Sequence, residues 1–224
     1  MVSIIIPVYN EEKDIENIIY QMNLLEGEKE IIVVDGESTD NTYIKASNLA
    51  NVISSRKSRA IQMNIGAKAS KGNILWFVHA DSILEADSIK HIEQAIEEGY
   101  TGGGFSIYFY DFDTRFMKYI SSTSNLRSGK YGLFYGDQGI FVKKDVFIEM
   151  GGFPEIELME DFKFSRMIIK KGKMKLLHKR IGTSARRYKN GGQIRTHLLM
   201  HKLRLLYLLG VSPKKLNKIY GEAR

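Results

Sequence analysis

Apolar positions along this chain switch between two periods. Residues 2–6, Val2-Ser3-Ile4-Ile5-Ile6, form a nearly continuous apolar run closed by Pro7, as expected of a strand buried on both faces that feeds a loop. From Asn10-Glu11-Glu12 the spacing changes, and Ile15, Ile18, Ile19 and Met22 fall on one helical face. The plan then repeats. Residues 30–34 read as a strand that stops at Asp35-Gly36, and Ser38-Thr39-Asp40-Asn41-Thr42 starts the next helix. Ile61, Ile65 and Ala69 recur every four residues, which predicts a helix over 55–69 with Arg56, Lys57 and Arg59 near its amino end. Residues 74–78 are too few for a helix and rich in strand formers, so they read as a buried strand ending at His79, with Asp81 just beyond it. Repeated β-loop-α units predict a doubly wound α/β sheet.

The second half is less regular. A helix over 83–96 ends near Gly99, a glycine-led strand covers 100–110, and an amphipathic helix spans 114–126. Asp137 and Gln138 stand between Gly136 and Gly139 just before another strand; such glycines let backbone approach a bound molecule, or mark a bulge. A helix over 158–169 begins with Glu160-Asp161, residues 175–177 form a last short strand, and a basic, leucine-rich helix runs over 194–209. Pro213 ends that helix and a short tail covers 216–220.

Charge sharpens this picture. The net +7 divides into −8 for residues 1–111 and +15 for residues 112–224, so acids and bases sit in opposite halves. A cation held by the first half and an anion such as a diphosphate or lipid head group met by the second would fit. Nucleic acid is disfavoured as a partner, because the bases are spread from Arg115 to Arg224 without zinc-finger or RNA-recognition spacing. The absence of cysteine excludes disulfides, thiol nucleophiles and cysteine-ligated metal. Lacking a long apolar span or a basic amino-terminal leader, the chain is expected in the cytoplasm.

In open α/β sheets ligands bind beyond the carboxyl ends of the strands, so Asp81 is a candidate metal or phosphate ligand, with capping of the following helix as the alternative. No G-x-G-x-x-G follows either opening strand, which argues against a nicotinamide or flavin enzyme. Arg56, Lys57 and Arg59 would oppose their helix dipole unless an anion lies nearby.

Ile6-Pro7-Val8-Tyr9-Asn10-Glu11, Val33-Val34-Asp35-Gly36-Glu37-Ser38-Thr39-Asp40, the strand ending in Asp81, and Gly152-Phe153 followed by Met159-Glu160-Asp161 together resemble family 2 glycosyltransferases of the GT-A fold. More narrowly, His79-Ala80-Asp81, the YGDQG of 135–139 and the TSARR of 183–187 look like a small bacterial subgroup. The resemblance implies a Rossmann-like, mixed but mostly parallel sheet flanked by helices over residues 1–190, with a C-terminal basic helical extension over 191–224 packed on the same domain. It implies inverting transfer of a sugar from a nucleotide-diphosphate sugar, UDP-linked, to an acceptor hydroxyl. Pro7, Tyr9, Asn10, Glu11 and Asp35 would hold the nucleoside, joined by Arg56, Arg59 and Gln62. Asp81 matches the last acid of the D-x-D motif that binds Mg²⁺ or Mn²⁺. Asp161, with Glu160 beside it, matches the catalytic base. Arg186 and Arg187 would meet the diphosphate, and Asp137 and Gln138 the acceptor. His79 stands where the motif has its first acid, either as a ligand favouring Mn²⁺ or as a packed residue behind the site.

Two rival readings fit the same pattern: a binding module that keeps the nucleotide pocket without turnover, and a nucleotidyltransferase. The latter ordinarily carries a glycine-rich basic loop where this chain has Pro7-Val8-Tyr9-Asn10-Glu11. In the extension, Leu198, Leu199, Leu203, Leu206 and Tyr207 form one apolar stripe beside Arg195, Lys202 and Arg204. Such a stripe packs against a core or lies on the inner face of an anionic membrane.

Overall fold

The computed structural model describes residues 1–222; Ala223 and Arg224, the end of the expected extension, lie outside it. Its centre is a seven-stranded sheet in the order β3-β2-β1-β4-β6-β5-β7. The strands are β1 (Val2–Val8), β2 (Lys29–Asp35), β3 (Asn51–Ser54), β4 (Ile74–Phe77), β5 (Gly102–Phe109), β6 (Phe141–Lys143) and β7 (Met174–Thr183). All run parallel except β6, which is antiparallel to both β4 and β5.

The continuous apolar runs follow from burial on both faces. Ile4 and Ile6 of β1 join Trp76, Phe105 and the inner residues of α1 (Ile15–Leu24) and α4 (Ser88–Glu97) on one face. Ile5 points the other way and meets Leu75, Phe77 and the phenylalanines Phe134, Phe147, Phe153 and Phe164 beneath α3 (Arg59–Ala69) and α7 (Glu160–Ile168). Trp76 and Phe105 stack at 5.2 Å, fully buried, each worth about 2–3 kcal/mol in area removed from water.

Several boundaries differ from expectation. The helix expected over 55–69 begins only at Arg59, because residues 51–54 form a four-residue edge strand too short and polar to carry a periodic signal. Arg56 and Lys57 therefore lie in the loop after β3 rather than on the helix. The last strand is not three residues but ten and reaches Thr183; its register jumps opposite Phe105 and Ser106, where the unpaired His178 and Lys179 break the alternation. Short helices α2 (Thr42–Ser47), α6 (Lys144–Glu149) and α8 (Arg186–Gly191) connect the larger elements, and α5 (Arg115–Tyr131) runs to a left-handed Gly132. Pro213 does not close α9 (Gln193–Leu208); it opens α10 (Pro213–Glu222), where its fixed φ and missing N–H suit a first helical position.

Topology sets the site. The carboxyl ends of β1, β2, β4 and β7 share one edge, and β6, being antiparallel, begins at that same edge. The loops holding Tyr9–Glu11, Asp35, Asp81, Asp137 and Arg186 thus arrive together, and α7 starts there with Glu160 and Asp161.

Candidate active site

The first two loops are knitted to each other. Asn10, left-handed at φ 55°, donates its backbone N–H to Ser38 Oγ (2.9 Å) and accepts Thr39 N–H at Oδ1 (2.9 Å); Glu11 N–H reaches Thr42 Oγ1 at 2.7 Å. Lys57 Nζ lies 3.5 Å from the Tyr9 ring centroid, so the β3 loop closes over the first. Asp35 is buried: Oδ2 accepts Ser38 N–H at 2.9 Å, while Oδ1 has no hydrogen-bond partner in the protein.

The Gln62 amide nitrogen is bonded within the protein. Nε2 donates to Val8 O (2.7 Å) and Val34 O (2.8 Å), and the side chain is buried, so it spans the ends of β1 and β2 and positions their loops. Arg56 is exposed and pairs with Glu155 at 3.3 Å, so it ties the β3 loop to the Gly152–Glu157 loop. Arg59 faces inward to Glu160, 3.7 Å away.

Asp81 is half-buried. Burial pushes both its carboxyl and that of Glu11 above the ordinary range, with Arg186 the strongest opposing influence on each. Glu11, Asp81 and Arg186 thus share one part of the cleft. Arg187 is turned elsewhere, its guanidinium 3.5 Å from the Tyr220 ring centroid of α10, a placement that belongs to packing of the extension.

Asp161 is held from two sides. Its Oδ2 accepts the Gly136 N–H at 3.0 Å and its Oδ1 accepts the Phe162 N–H at 2.6 Å, at the start of α7, directly after a left-handed Met159 (φ 71°). A Cβ on Gly136 would lie 2.7 Å from His79 Nε2 and 3.8 Å from Asp161 Oδ2, so only glycine lets this turn pass between the two side chains. The flanking glycines therefore serve close packing within the protein. His79 is half-buried with its Nε2 shielded and unpartnered; burial, then Arg59, pushes its pKa down to about 3, so the ring is neutral.

Gln138 cannot meet an acceptor. It is fully buried, with Oε1 accepting from Arg127 (2.7 Å) and Ser128 (2.8 Å) and Nε2 donating to Phe105 O (3.2 Å), so it anchors the 3₁₀ turn Gly136–Gln138 to β5 and α5. Asp137 remains as the polar group of that turn. Burial raises its pKa to about 6 against the pull of Arg127, with Asp161 and Asp81 pushing the same way as burial, and its Oδ1 has no partner. Glu160 is raised to about 7, by burial first and Asp161 second, and lies buried beside Arg59.

Two residues here carry no motif. Arg127 stacks on the Tyr135 ring at 3.8 Å, and Arg204 of α9 reaches the Tyr135 hydroxyl at 3.3 Å. Only their place on the inner faces of two helices could have flagged them.

An α/β sheet with one reversed strand, and carboxylates gathered at its carboxyl edge around a basic residue, is the GT-A arrangement. The chain belongs to glycosyl transferase family 2, whose model matches residues 3–153. It is 33% identical over 107 residues to a dolichol-phosphate mannosyltransferase of Pyrococcus furiosus, covering 44% of this chain and 30% of that one. It is 25% identical over 183 residues to an uncharacterized glycosyltransferase of Haemophilus influenzae, covering 73% and 60%. The chain thus spans less than two thirds of either relative. Among solved structures, the mannosyltransferase PcManGT from Pyrobaculum calidifontis, in complex with GDP-Man and Mn²⁺, superposes with a TM-score of 0.70 at 20% identity, over 99% of this chain and 68% of that one. S. aureus TarS residues 1–349 superpose at 0.64 and 18% identity, over 83% and 61%. Asp161, Arg186 and the C-terminal helices lie beyond the family match.

Proposed function

We propose that the protein is an inverting glycosyltransferase that uses a UDP-sugar and a divalent ion to glycosylate an acceptor hydroxyl. The observation that carries this reading is the fixed Asp161 carboxylate, gripped by Gly136 and Phe162 N–H groups, on the same sheet edge as Asp81 and Arg186. Asp161 takes the proton of the acceptor O–H as its oxygen forms a bond to the anomeric carbon. The bond from that carbon to the diphosphate oxygen breaks on the opposite face, and its electron pair leaves with the diphosphate. Arg186 offsets the charge that develops there.

Asp35 Oδ1, buried and without a partner, suits the single N–H of a uracil edge. Tyr9 and Lys57 would line the nucleoside. The relatives bracket more than one donor: a TarS structure is in complex with UDP-GlcNAc and PcManGT with GDP-Man.

Mg²⁺ or Mn²⁺ fits at Asp81, which lies in a pocket of like charge with Glu11 and Asp137. Among the described residues no group of three or more His, Cys, Asp or Glu could hold a metal ion by itself. Asp81 would therefore supply one oxygen and the donor diphosphate and water the rest. Such an ion supplies charge stabilisation to the departing diphosphate.

The test is release of nucleoside diphosphate from UDP- and GDP-sugars with Mn²⁺, with and without sugar or lipid-phosphate acceptors, beside thermal shifts with the same donors. UDP-sugars are expected to stabilise the protein and to be turned over. Stabilisation without any diphosphate release would leave a binding module instead.

A further inference from the structure

The stripe expected on α9 divides in two. Leu203 is buried and Leu199, Leu206 and Tyr207 are half-buried on the inner side, where Tyr207 meets the edge of the Phe162 ring (6.0 Å). Outward lies a different strip: Ile194, Leu198, Leu205, Leu208 and Leu209 are 65, 62, 59, 58 and 72% exposed. At 100° per residue these five fall within about one third of the helix circumference, along its whole length of about 24 Å. Five large aliphatic side chains in one exposed row form a patch of the kind that marks an interaction site. His201, the polar residue inside the row, is paired with His197 (3.0 Å) and held below its ordinary pKa by burial and Arg204.

The surroundings select the occupant. Arg195 and Lys202 border the row on one side by helix geometry, and Lys214 and Lys215 are exposed on α10. From Phe162 to Gly221 the chain contains no Asp or Glu and 17 Lys or Arg. A second copy related by a two-fold axis would set base against base. Nucleic acid would satisfy the charge but not five leucine-type side chains. An anionic bilayer surface satisfies both, taking the aliphatic row below its head groups and the bases at their level.

We propose that the outward face of α9 docks on anionic phospholipid membranes. The inward face of the same helix holds Tyr135 through Arg204 and Phe162 through Tyr207, so docking sets the cleft close to the bilayer surface.

The test is co-sedimentation of the full chain with vesicles of phosphatidylcholine alone or with about one-third phosphatidylglycerol, beside size-exclusion chromatography over a range of concentrations. The chain is expected to partition onto the anionic vesicles and less so in roughly 0.5 M salt. Leu198→Gln with Leu205→Gln should lower that partition at least about tenfold with an unchanged melting temperature, both side chains being exposed. Lys214→Gln with Lys215→Gln should lower it roughly fivefold per charge on anionic vesicles only. Absence of partition, or partition indifferent to the leucine variants, overturns the proposal. So does a dimer that those variants dissociate in a protein that ignores vesicles. None of these readouts uses sugar transfer, so the two proposals stand or fall separately.

Discussion

The two flanks of the cleft are built on different plans. On the proposed donor flank each group hangs from the end of a parallel strand: Tyr9 to Glu11 after β1, Asp35 on β2, Asp81 after β4, Arg186 after β7. On the proposed acceptor flank, Asp161 starts a helix, Asp137 sits in a 3₁₀ turn before the one antiparallel strand, and Arg127 and Arg204 come from α5 and α9. The first plan fixes a group by the sheet itself. The second fixes it by hydrogen bonds and ring contacts without a strand end leading into it, so its geometry fails sooner when one contact is lost. Mutation should separate the nucleoside groups of the first flank, where affinity is lost, from the proton-accepting carboxylate of the second, where turnover is lost.

The widest separation is expected from Asp161→Asn. The amide keeps one oxygen to accept one of the two N–H groups, sets an NH₂ against the other and takes no proton, so turnover should fall about 10²–10⁴-fold while nucleotide affinity stays within about twofold. Calorimetric titration beside diphosphate release measures both. Lost affinity with intact turnover would exchange the roles of the flanks. Gly136→Ala should lower turnover about tenfold to hundredfold through the 2.7 Å clash with His79, and His79→Ala should recover part of it. A simple sum of the two effects would show that the clash is not the cause.

Asp35→Asn probes the opposite flank. It puts an amide where a buried carboxylate oxygen awaits a donor, and nucleotide affinity should fall about tenfold to hundredfold with turnover at saturation nearly unchanged. Equal losses for UDP and GDP would remove the argument for uracil.

The flanks also differed in how far they could be read before folding. Asp35 and Asp81 announce themselves because an apolar run ends at or just before each, and the run's length alone puts them at the sheet edge. Glu160 and Asp161 were visible as paired acids at a helix start, yet their separate fates were not. Glu160 turns to Arg59 and Asp161 to Gly136, a choice made by partners 25 to 101 residues away. Gln62 and Gln138 look like ligand contacts in sequence, but each amide is buried and bonds within the protein: Gln62 to carbonyls at the ends of β1 and β2, Gln138 to Phe105 O at the irregularity inside β5 and to Arg127 and Ser128 of α5. Arg127 and Arg204 had no local signature. Boundaries slipped at β3, β7 and Pro213, and also at α4, expected from residue 83 but starting at Ser88 because Ile83 bridges to Gly182, and at α5, expected to end at 126 but running to Tyr131. At most of these, pairing or a turn overrides a short periodic pattern.

Asp137 tests the acceptor flank without activity. Its pKa is about 6 in the folded chain and near the ordinary carboxylate value when unfolded, because it is buried among Asp161, Asp81, Tyr188 and the opposing Arg127. Between about pH 4 and 6 the folded state therefore binds the extra proton, and stability falls as pH rises through that window. Asp137→Asn removes this contribution. Its melting temperature relative to the parent should rise between pH 4 and 7 by roughly 3–6 °C, or about 1–2 kcal/mol. A difference independent of pH would place the proton elsewhere, with Glu160 the next group to test because its raised value lies near 7.

The smallest effect is expected at Arg204, and it bears most directly on whether the extension belongs to the acceptor flank. Its guanidinium meets the Tyr135 hydroxyl at 3.3 Å, Tyr135 precedes Gly136, and the Gly136 N–H holds Asp161. Arg204 would act through that chain of contacts as a positioning residue. Arg127, stacked on the same ring, supports the turn independently, so loss of Arg204 should loosen it without collapsing it. Arg204→Ala is expected to lower kcat about threefold to tenfold, in line with one hydrogen bond, and to leave nucleotide affinity unchanged. Tyr135→Phe should reproduce the loss, and Arg204→Ala on top of it should add little, since both remove the same bond. Additive losses would mean that Arg204 acts by some other route and that the third helix of this flank is only neighbouring it.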